Sequence, residues 1–547
     1  MTHPGAWRRR LRGAMLALLS CAGCAPKTIT VHPAHILMFD KSGMPLDPAE
    51  GRADEETIQA GPSSFKRPFA SPEQYVLRLE RILDQAEKKG RLFIFAHGGM
   101  ADPGRSAQIL HRFMSAGLEQ DAYLLGINWD TGLFSSYLDH LFLIRSGKRS
   151  PIIGPLTSPL VLAKDLLVGL GRAPVAWYEE LISFWNGNAG VNGNLGDKTL
   201  RYLVELEASY ARCPAPSAAG CTSIPFYAGR DRLTKTQEAG RITKGVLSAP
   251  FVMASLGLLN ETGQEGWRSM LRREELLFDS EDAAPAGSSE GGLAPQRFTE
   301  YKSAFRGAPA APARALDAAT KALQEGGMSV ALSQERPLAA FFVLLQDRQA
   351  KARKSGRKPL AVVLAGHSMG CIVVDDILLR YPDLEVDKVF YLGSADTLLN
   401  YRIAAWPYMR RELERRKRYY GSLGDFSGVY HIVLNDLQEA RETNWEIPFT
   451  PFYLSPSGSL LVYIDNVFGQ PNSRLDRVAG RMSNLAPILR QTPVDIAPYV
   501  HVRSFDALAD QASKAEPETH RNLRSFKFWE PSCYDPASKD HACAPLQ

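Results

Sequence analysis

The stretch PLAVVLAGHSMGCIVVDDILL, residues 359–379, constrains the fold more tightly than any other part of the chain. Leu360 to Ala365 is an unbroken apolar run, without the alternation of a half-exposed strand. Such a run reads as a strand covered on both faces, as in a parallel sheet flanked by helices. Gly366-His367-Ser368-Met369-Gly370 follows at once, and Cys371 opens an apolar helical pattern. A chain passing this quickly from buried strand to helix must turn sharply, and glycines beside the turn let backbone pass close to backbone. The same Gly-x-Ser-x-Gly spacing recurs at residues 287–291, but Ser289 lies in DSEDAAPAGSSEGGLAPQ, an acidic linker with neither element beside it. Ser368 therefore carries the motif and Ser289 is a decoy.

Other strand patterns agree with this one. RLFIFAHGG (91–99), DAYLLGINWD (121–130), VDKVFYLGS (386–394), GVYHIVLND (428–436) and APYVHVRSF (497–505) are short and apolar, with helical patterns between them. One helix is bounded clearly, by Ser71 as cap, Pro72 in the first turn and Gly90 as stop. Strands alternating with helices predict a mostly parallel α/β sheet, whose ligands bind at the carboxyl ends of the strands. The region 131–335 differs, being helical or loop-like. Trp177, Leu181 and Trp185 share one helix face there, and LFSSYLDHLFLI (133–144) is apolar and aromatic. Pro151, Pro155 and Pro159 interrupt the neighbouring apolar run, so no transmembrane segment is expected in it. The resulting division is a signal segment (1–23), an N-terminal extension (24–70), and a first core part (71–130). After it come a helical insertion (131–335, with its linker near 279–296), a second core part (336–530) and a tail (531–547).

Four arginines (Arg8, Arg9, Arg10, Arg12), a short apolar run from Ala14 to Leu19 and then small residues read as an export signal, too short to span a bilayer. The cysteines fit export. Cys213 with Cys221, and Cys533 with Cys543, are short-range pairs in loops and candidate disulfides, whereas Cys371 reads as a buried packing residue. A net charge of +5, with its densest basic run KARKSGRKP at a helix end, gives no footprint for nucleic acid. No metal-binding spacing and no phosphate loop is present, so no cofactor is expected.

The strand–GHSMG–helix unit, together with HGG at His97 to Gly99 ending an early strand, resembles the α/β-hydrolase superfamily, in particular its esterases and lipases. The resemblance implies a mostly parallel sheet flanked by helices, with residues 131–335 as a large, mainly helical cap inserted after the fourth strand. Gly98 and Ser368 lie 270 residues apart (368 − 98), far more than a minimal member needs. Ser368 would be the nucleophile, and the backbone N–H of Met369 with that of Gly98 or Gly99 would form the oxyanion hole. His97 would be a bystander. Family order places the acid and then the base after the serine. His520, past the last strand, is the first choice of base, ahead of His501 and then His431 and His541. Asp436, just beyond the seventh strand, is the first choice of acid, with Glu439, Glu442 and Asp396 as alternatives.

The activity so implied is hydrolysis of carboxylic esters through an acyl-enzyme, on small-molecule or lipid-like substrates. Peptidase, thioesterase or acyltransferase chemistry on the same fold, or a non-catalytic binding lipoprotein, are the competing readings. The CAGC ending of the signal resembles a bacterial lipobox, which implies lipidation at Cys24, or at Cys21 as the alternative, and a membrane anchor. The implied location is the periplasm or outer membrane of a Gram-negative bacterium.

Overall fold

A computed structural model describes residues 29–48, 57–60, 64–99, 101, 103–145, 148–188, 235–278, 337–422, 426–434, 436–442, 458–469, 471, 473–505, 517, 519–534 and 543–546. Cys21, Cys24, Cys213, Cys221, Ser289 and His541 lie outside these residues.

Eight strands form the central sheet: β1 (Ile36–Phe39), β2 (Pro45–Leu46), β3 (Arg91–Ala96), β4 (Tyr123–Trp129), β5 (Ala361–His367), β6 (Lys388–Leu392), β7 (Gly428–Leu434) and β8 (Val500–Phe505). Their order is β8-β7-β6-β5-β3-β4-β1-β2, and every neighbouring pair is parallel except β1 with β2 at one edge. The fold is thus α/β with a mostly parallel sheet. Alternate residues feed two separate cores. Val362 and Leu364 of β5 pack on one face with Leu92 and Ile94 of β3, while Val363 and Ala365 pack on the other with Phe93 and Phe95. Both faces being covered is why these strands read as continuous apolar runs.

Residues 24–70 are more than an extension, since they supply β1 and β2. ILMF is too short to show a period, and becomes a strand by pairing Ile36–Phe39 with Gly126–Trp129 of β4. The tail is likewise part of the core. Cys533 and Cys543 form a disulfide, and Phe528 and Tyr534 pack edge-on against Phe390 of β6.

Helices cover both faces, among them α1 (Pro72–Lys89) and α2 (Pro103–Ser115). Ser71 caps α1 through Gln74 N–H (3.4 Å), and Gly90 ends it at φ 75°. The chain passes from β3 to β4 and then returns to the opposite side of β3 to form β5. That reversal opens a crevice outside the carboxyl ends of β3 and β5, the place where open α/β sheets bind ligands.

The insertion roofs this crevice with α3 (Leu133–Phe142), α4 (Ile153–Asn188) and α5 (Lys235–Glu275). Pro155 and Pro159 do not break the apolar run as expected; α4 runs through both and through Pro174. Pro155 stands in the first turn, where its missing N–H is no loss, and packing on α5 holds the rest. Trp177 Nε1 donates to Met253 O (2.9 Å), and Arg172 pairs with Glu261 (2.6 Å). By length and composition Ile153–Tyr178 could cross a membrane, with mean hydropathy 1.4 and 22% of it buried. This corrects the expectation that no segment here would qualify. The side chains of Leu181 and Trp185 lie outside the description.

One buried cation ties the roof to the sheet. Arg273 of α5, 2% exposed, bonds Asp139 of α3 (2.7 Å), Ser135 Oγ (3.1 Å) and the Asp130 carbonyl (3.2 Å). Gly263 and Gly266 then let α5 approach closely, since an added Cβ would meet Phe468 at 2.2 Å and Leu133 at 2.8 Å. Lys41 also pairs with Asp139 (2.6 Å), so removing Arg273 leaves that buried carboxylate with half of its compensation. Arg273→Ala is expected to lower the unfolding free energy by about 3 kcal/mol in urea denaturation. A loss under about 1 kcal/mol would mean that the insertion is held by apolar packing alone.

Candidate active site

Strand β5 ends at His367, and the helix α7 (Gly370–Arg380; α6 is Pro337–Lys354) begins three residues later. Ser368 between them has φ 53°, the only positive φ at a non-glycine residue among those described. A left-handed serine costs of order 1 kcal/mol and is kept because its surroundings over-determine it. Its N–H donates to Leu392 O of β6 (2.8 Å), and its carbonyl accepts from Cys371 (3.1 Å) and Ala395 (3.1 Å). Both flanking glycines are sterically required: a Cβ on Gly366 would meet Gly370 O at 2.6 Å, and one on Gly370 would meet Ala96 O at 2.1 Å. The turn therefore thrusts the Ser368 side chain out at the crevice.

On the other side of the crevice, a 3₁₀ helix, His520–Ser525, begins at His520 itself rather than after it. Its Nδ1–H donates to Glu439 Oε1 (3.2 Å), and its main-chain N–H donates to Glu442 Oε2 (2.7 Å). Nε2 is buried without a hydrogen-bond partner, and Ser368 and His520 line the same cavity. Burial alone would lower the proton affinity of His520. The charge and hydrogen bond of Glu439, followed by the charge of Glu442, outweigh it and raise the pKa above the ordinary imidazole value.

The acid beside His520 is Glu439, the alternative, and not Asp436. Both sit on α9 (Asp436–Arg441; α8 is Leu398–Tyr420), three residues apart. Asp436 faces elsewhere, taking the N–H and hydroxyl of Ser483 (both 2.6 Å) and lying 3.4 Å from Arg481. Glu439 faces His520 and is oriented by Ser459, whose hydroxyl donates to Oε2 and whose N–H donates to Glu439 O (2.8 Å). Ser459 carried no signal in the sequence, because it reaches this carboxylate from 20 residues away.

The other histidines are structural. His431 is fully buried between Tyr391 (5.1 Å) and Tyr401 (4.6 Å), and burial pushes its pKa down to about 3. His501 stacks on Tyr430 (4.6 Å). His97 braces two strand ends: Nδ1–H donates to Gly98 O (2.6 Å), and Nε2 accepts Trp129 N–H (3.1 Å). Burial lowers its pKa to about 4, so it stays neutral. His367, within the turn, donates from Nε2 to His520 O (3.1 Å) and so holds the backbone of His520 in place.

The N–H groups of Met369 and Gly99 have no acceptor among the described residues. The two residues are adjacent, since a Cβ on Gly99 would lie 3.6 Å from that of Met369. Gly98 lies against the serine, 3.0 Å from Ser368 Cβ by the same measure. Gly99 lines a cavity of about 400 Å³ whose apolar wall includes Ile109, Leu133, Leu460, Tyr463 and Phe468. The last belongs to a π-helical turn, Ile464–Phe468, an element often found at functional sites. Arg105, Arg112, Arg521 and Arg524 form much of the remaining wall. Among the described residues no cluster of three or more His, Cys, Asp or Glu is placed to hold a metal.

Asp396, the last acid candidate, lies under the turn, paired with Asp375 of α7 rather than with a histidine. Tyr391 donates to Asp375 Oδ1 (2.5 Å), while Thr397 N–H and Asn400 Nδ2 each donate to Asp396 Oδ1 (2.7 Å). Burial, and then the charge of Asp396, push the pKa of Asp375 well up. A raised folded-state pKa contributes stability that is complete below the unfolded value and is lost as pH rises toward the folded one. Asp375→Asn, which keeps a donor toward Asp396, is therefore expected to be more stable than wild type near pH 8, with the gap closing toward about pH 4. Thermal denaturation across that range checks it; a gap independent of pH would show that no proton is held there.

No family model, no curated protein and no solved structure matches the chain.

Proposed function

We propose that the chain is a serine hydrolase of the α/β-hydrolase superfamily that cleaves carboxylic esters through an acyl-enzyme on Ser368. One observation carries this reading: a serine held at φ 53° on a strand–turn–helix, facing one cavity with a histidine hydrogen-bonded to a buried glutamate. A cavity-lining hydroxyl on a strained turn has little packing value, and a buried imidazole–carboxylate pair lining the same cavity is what an activated nucleophile requires.

In the proposed reaction Ser368 Oγ attacks the ester carbonyl carbon while His520 Nε2 takes its proton. Glu439 keeps the proton of Nδ1 in place and stabilises the imidazolium. The Met369 and Gly99 N–H groups hold the oxyanion, where each donor contributes typically about 3 kcal/mol. Collapse expels the alcohol, which takes the proton from Nε2. Water, deprotonated by the same nitrogen, then releases the carboxylic acid and restores Ser368. The uncharged Nε2 has no partner to surrender before this chemistry, and catalytic hydrogen bonds often close only when substrate arrives. The chain is further proposed to act as an exported, lipid-anchored protein. The N-terminal pattern ending at Cys24 and the Cys533–Cys543 disulfide, which suits an oxidising compartment, support this.

A fluorophosphonate probe is expected to label the wild type but not Ser368→Ala, with ester hydrolysis falling about 10⁴-fold or more. A folded wild type that resists the probe would sink the reading. Glu439→Gln is expected to lower kcat by about 10³-fold or more, and Asp436→Asn by far less. The acid limb of kcat/KM should lie above the ordinary imidazole pKa, since Nε2 must be unprotonated to act. In Glu439→Gln only burial and repulsion by Arg524 would outweigh the remaining charge of Glu442, so the limb should move to lower pH. An unmoved limb would assign the acid role to another carboxylate.

A further inference from the structure

The arginines of the cavity need a reason that the reaction itself does not supply. Arg105, Gln108 and Arg112 stand at i, i+3 and i+7 on α2, one stripe of one helix face. Arg521 and Arg524 stand at i and i+3 on the 3₁₀ helix of His520, where that spacing eclipses side chains. The two stripes line the same cavity. Arg524 is half-buried and the other three arginines are exposed. Their charges act on one another: burial first, and then Arg521, Arg112 and Arg105, lower the pKa of Arg524 to about 10.

Among the described residues one carboxylate, Glu442, faces this charge; burial raises its pKa, and the charge of Arg521 acts to lower it. It is the single carboxylate on the described cavity wall, and its Oε2 already accepts the His520 N–H at 2.7 Å. Neither Arg112, Arg521 nor Arg524 is in an ion pair with a described carboxylate. Gathering guanidinium groups opposes folding, and an anionic occupant of the cavity would relieve that repulsion. Planar guanidinium groups bind oxyanions through paired N–H donors, and several converging on one point favour a multiply charged anion over a single carboxylate. The same cavity also has an apolar lining, which includes Leu133, Leu460 and Phe468.

We infer that the substrate is an acyl ester of a phosphorylated alcohol, its phosphate held between Arg112, Arg521 and Arg524 and its acyl chain against the apolar wall. This rests on the hydrolase reading and narrows it. It also changes the expectation of a merely lipid-like ester, because a neutral substrate leaves the arginines unanswered. A bound phosphate would offset the repulsion of Arg524 on His520 and raise the pKa of the base further.

The test compares octanoyl-glycerol 3-phosphate with octanoyl-glycerol and with the octanoyl ester of lactic acid, in wild type and in Arg112→Gln/Arg521→Gln. The two substituted residues are exposed, so the fold should tolerate their change. Wild type is expected to prefer the phosphorylated ester by about tenfold or more in kcat/KM, and the double variant to lose that preference while keeping the neutral ester. Equal rates on the phosphorylated and neutral esters, or equal losses on both, would overturn the inference. A carboxylate ester used as well as the phosphorylated one would overturn its phosphate specificity. Vesicles of long-chain phosphatidic acid against the soluble ester distinguish a lipid headgroup from a small phosphorylated alcohol, and the inference requires one of the two to be cleaved. Calorimetry of inorganic phosphate with Ser368→Ala reads the subsite without turnover. Binding there that is lost in the arginine variant supports the inference even if fluorophosphonate labelling fails; absence of binding overturns it even if labelling succeeds.

Discussion

Close backbone packing around Ser368 governs the arrangement of everything else. β5 is flanked on both sides, by β3 and β6, and the chain leaving it must enter α7 without striking either neighbour. It does so by placing Ser368 at φ 53° and by bringing Gly370 onto the carbonyl of Ala96, which no residue with a Cβ could do. That contact also sets the position of the 97–99 turn, because Gly98 then lies against Ser368. The strain is local, while the hydrogen bonds that hold it come from two segments: Cys371 of α7, and Leu392 and Ala395 at the end of β6 and just beyond it. Substituting one glycine would therefore disturb the strand, the helix and the donor loop together.

Around this rigid centre the remaining groups are held by long-range contacts. Glu439 is aimed by Ser459, and His520 is held at its ring by Glu439, at its N–H by Glu442 and at its carbonyl by His367. An imidazole fixed at three points keeps its tautomer and its direction, which proton transfer at Nε2 requires. Arg273 closes the assembly from above by linking α5 to α3 through buried charge. The roof thus belongs to the site as a wall, contributing Leu133 and Gly263 to the cavity.

Charge divides the cavity into two chemical regions. Near the serine the groups are neutral or paired: His97 is held uncharged by burial, and His520 is matched by Glu439. Farther along α2 and the final 3₁₀ helix the arginines accumulate, with Glu442 the single carboxylate on the described wall. Beneath the turn, the Asp375–Asp396 pair is sealed from the cavity and belongs to the packing of α7 against β6, through Tyr391.

What the amino-acid order determined by itself is local. The apolar run before Gly366, the two glycines and the helix that follows are set within a dozen residues, so the turn and its serine were legible. The same holds for the strands and for the cap and stop of α1. His520 was legible because it follows the last strand, where the chain must return to the crevice. Tertiary structure decided the rest. Asp436 and Glu439 are equivalent as sequence, and only the capture of Asp436 by Ser483, 47 residues on, leaves Glu439 to face the imidazole. The four-residue strand β1 exists through its pairing with β4, and α4 runs through its prolines because α5 packs along it. The arginines are scattered over two segments about 400 residues apart, and meet because the sheet brings both to the carboxyl ends of its strands. Patterns of period and spacing report on neighbours along the chain; which side chains share a cavity is set by contacts between distant segments.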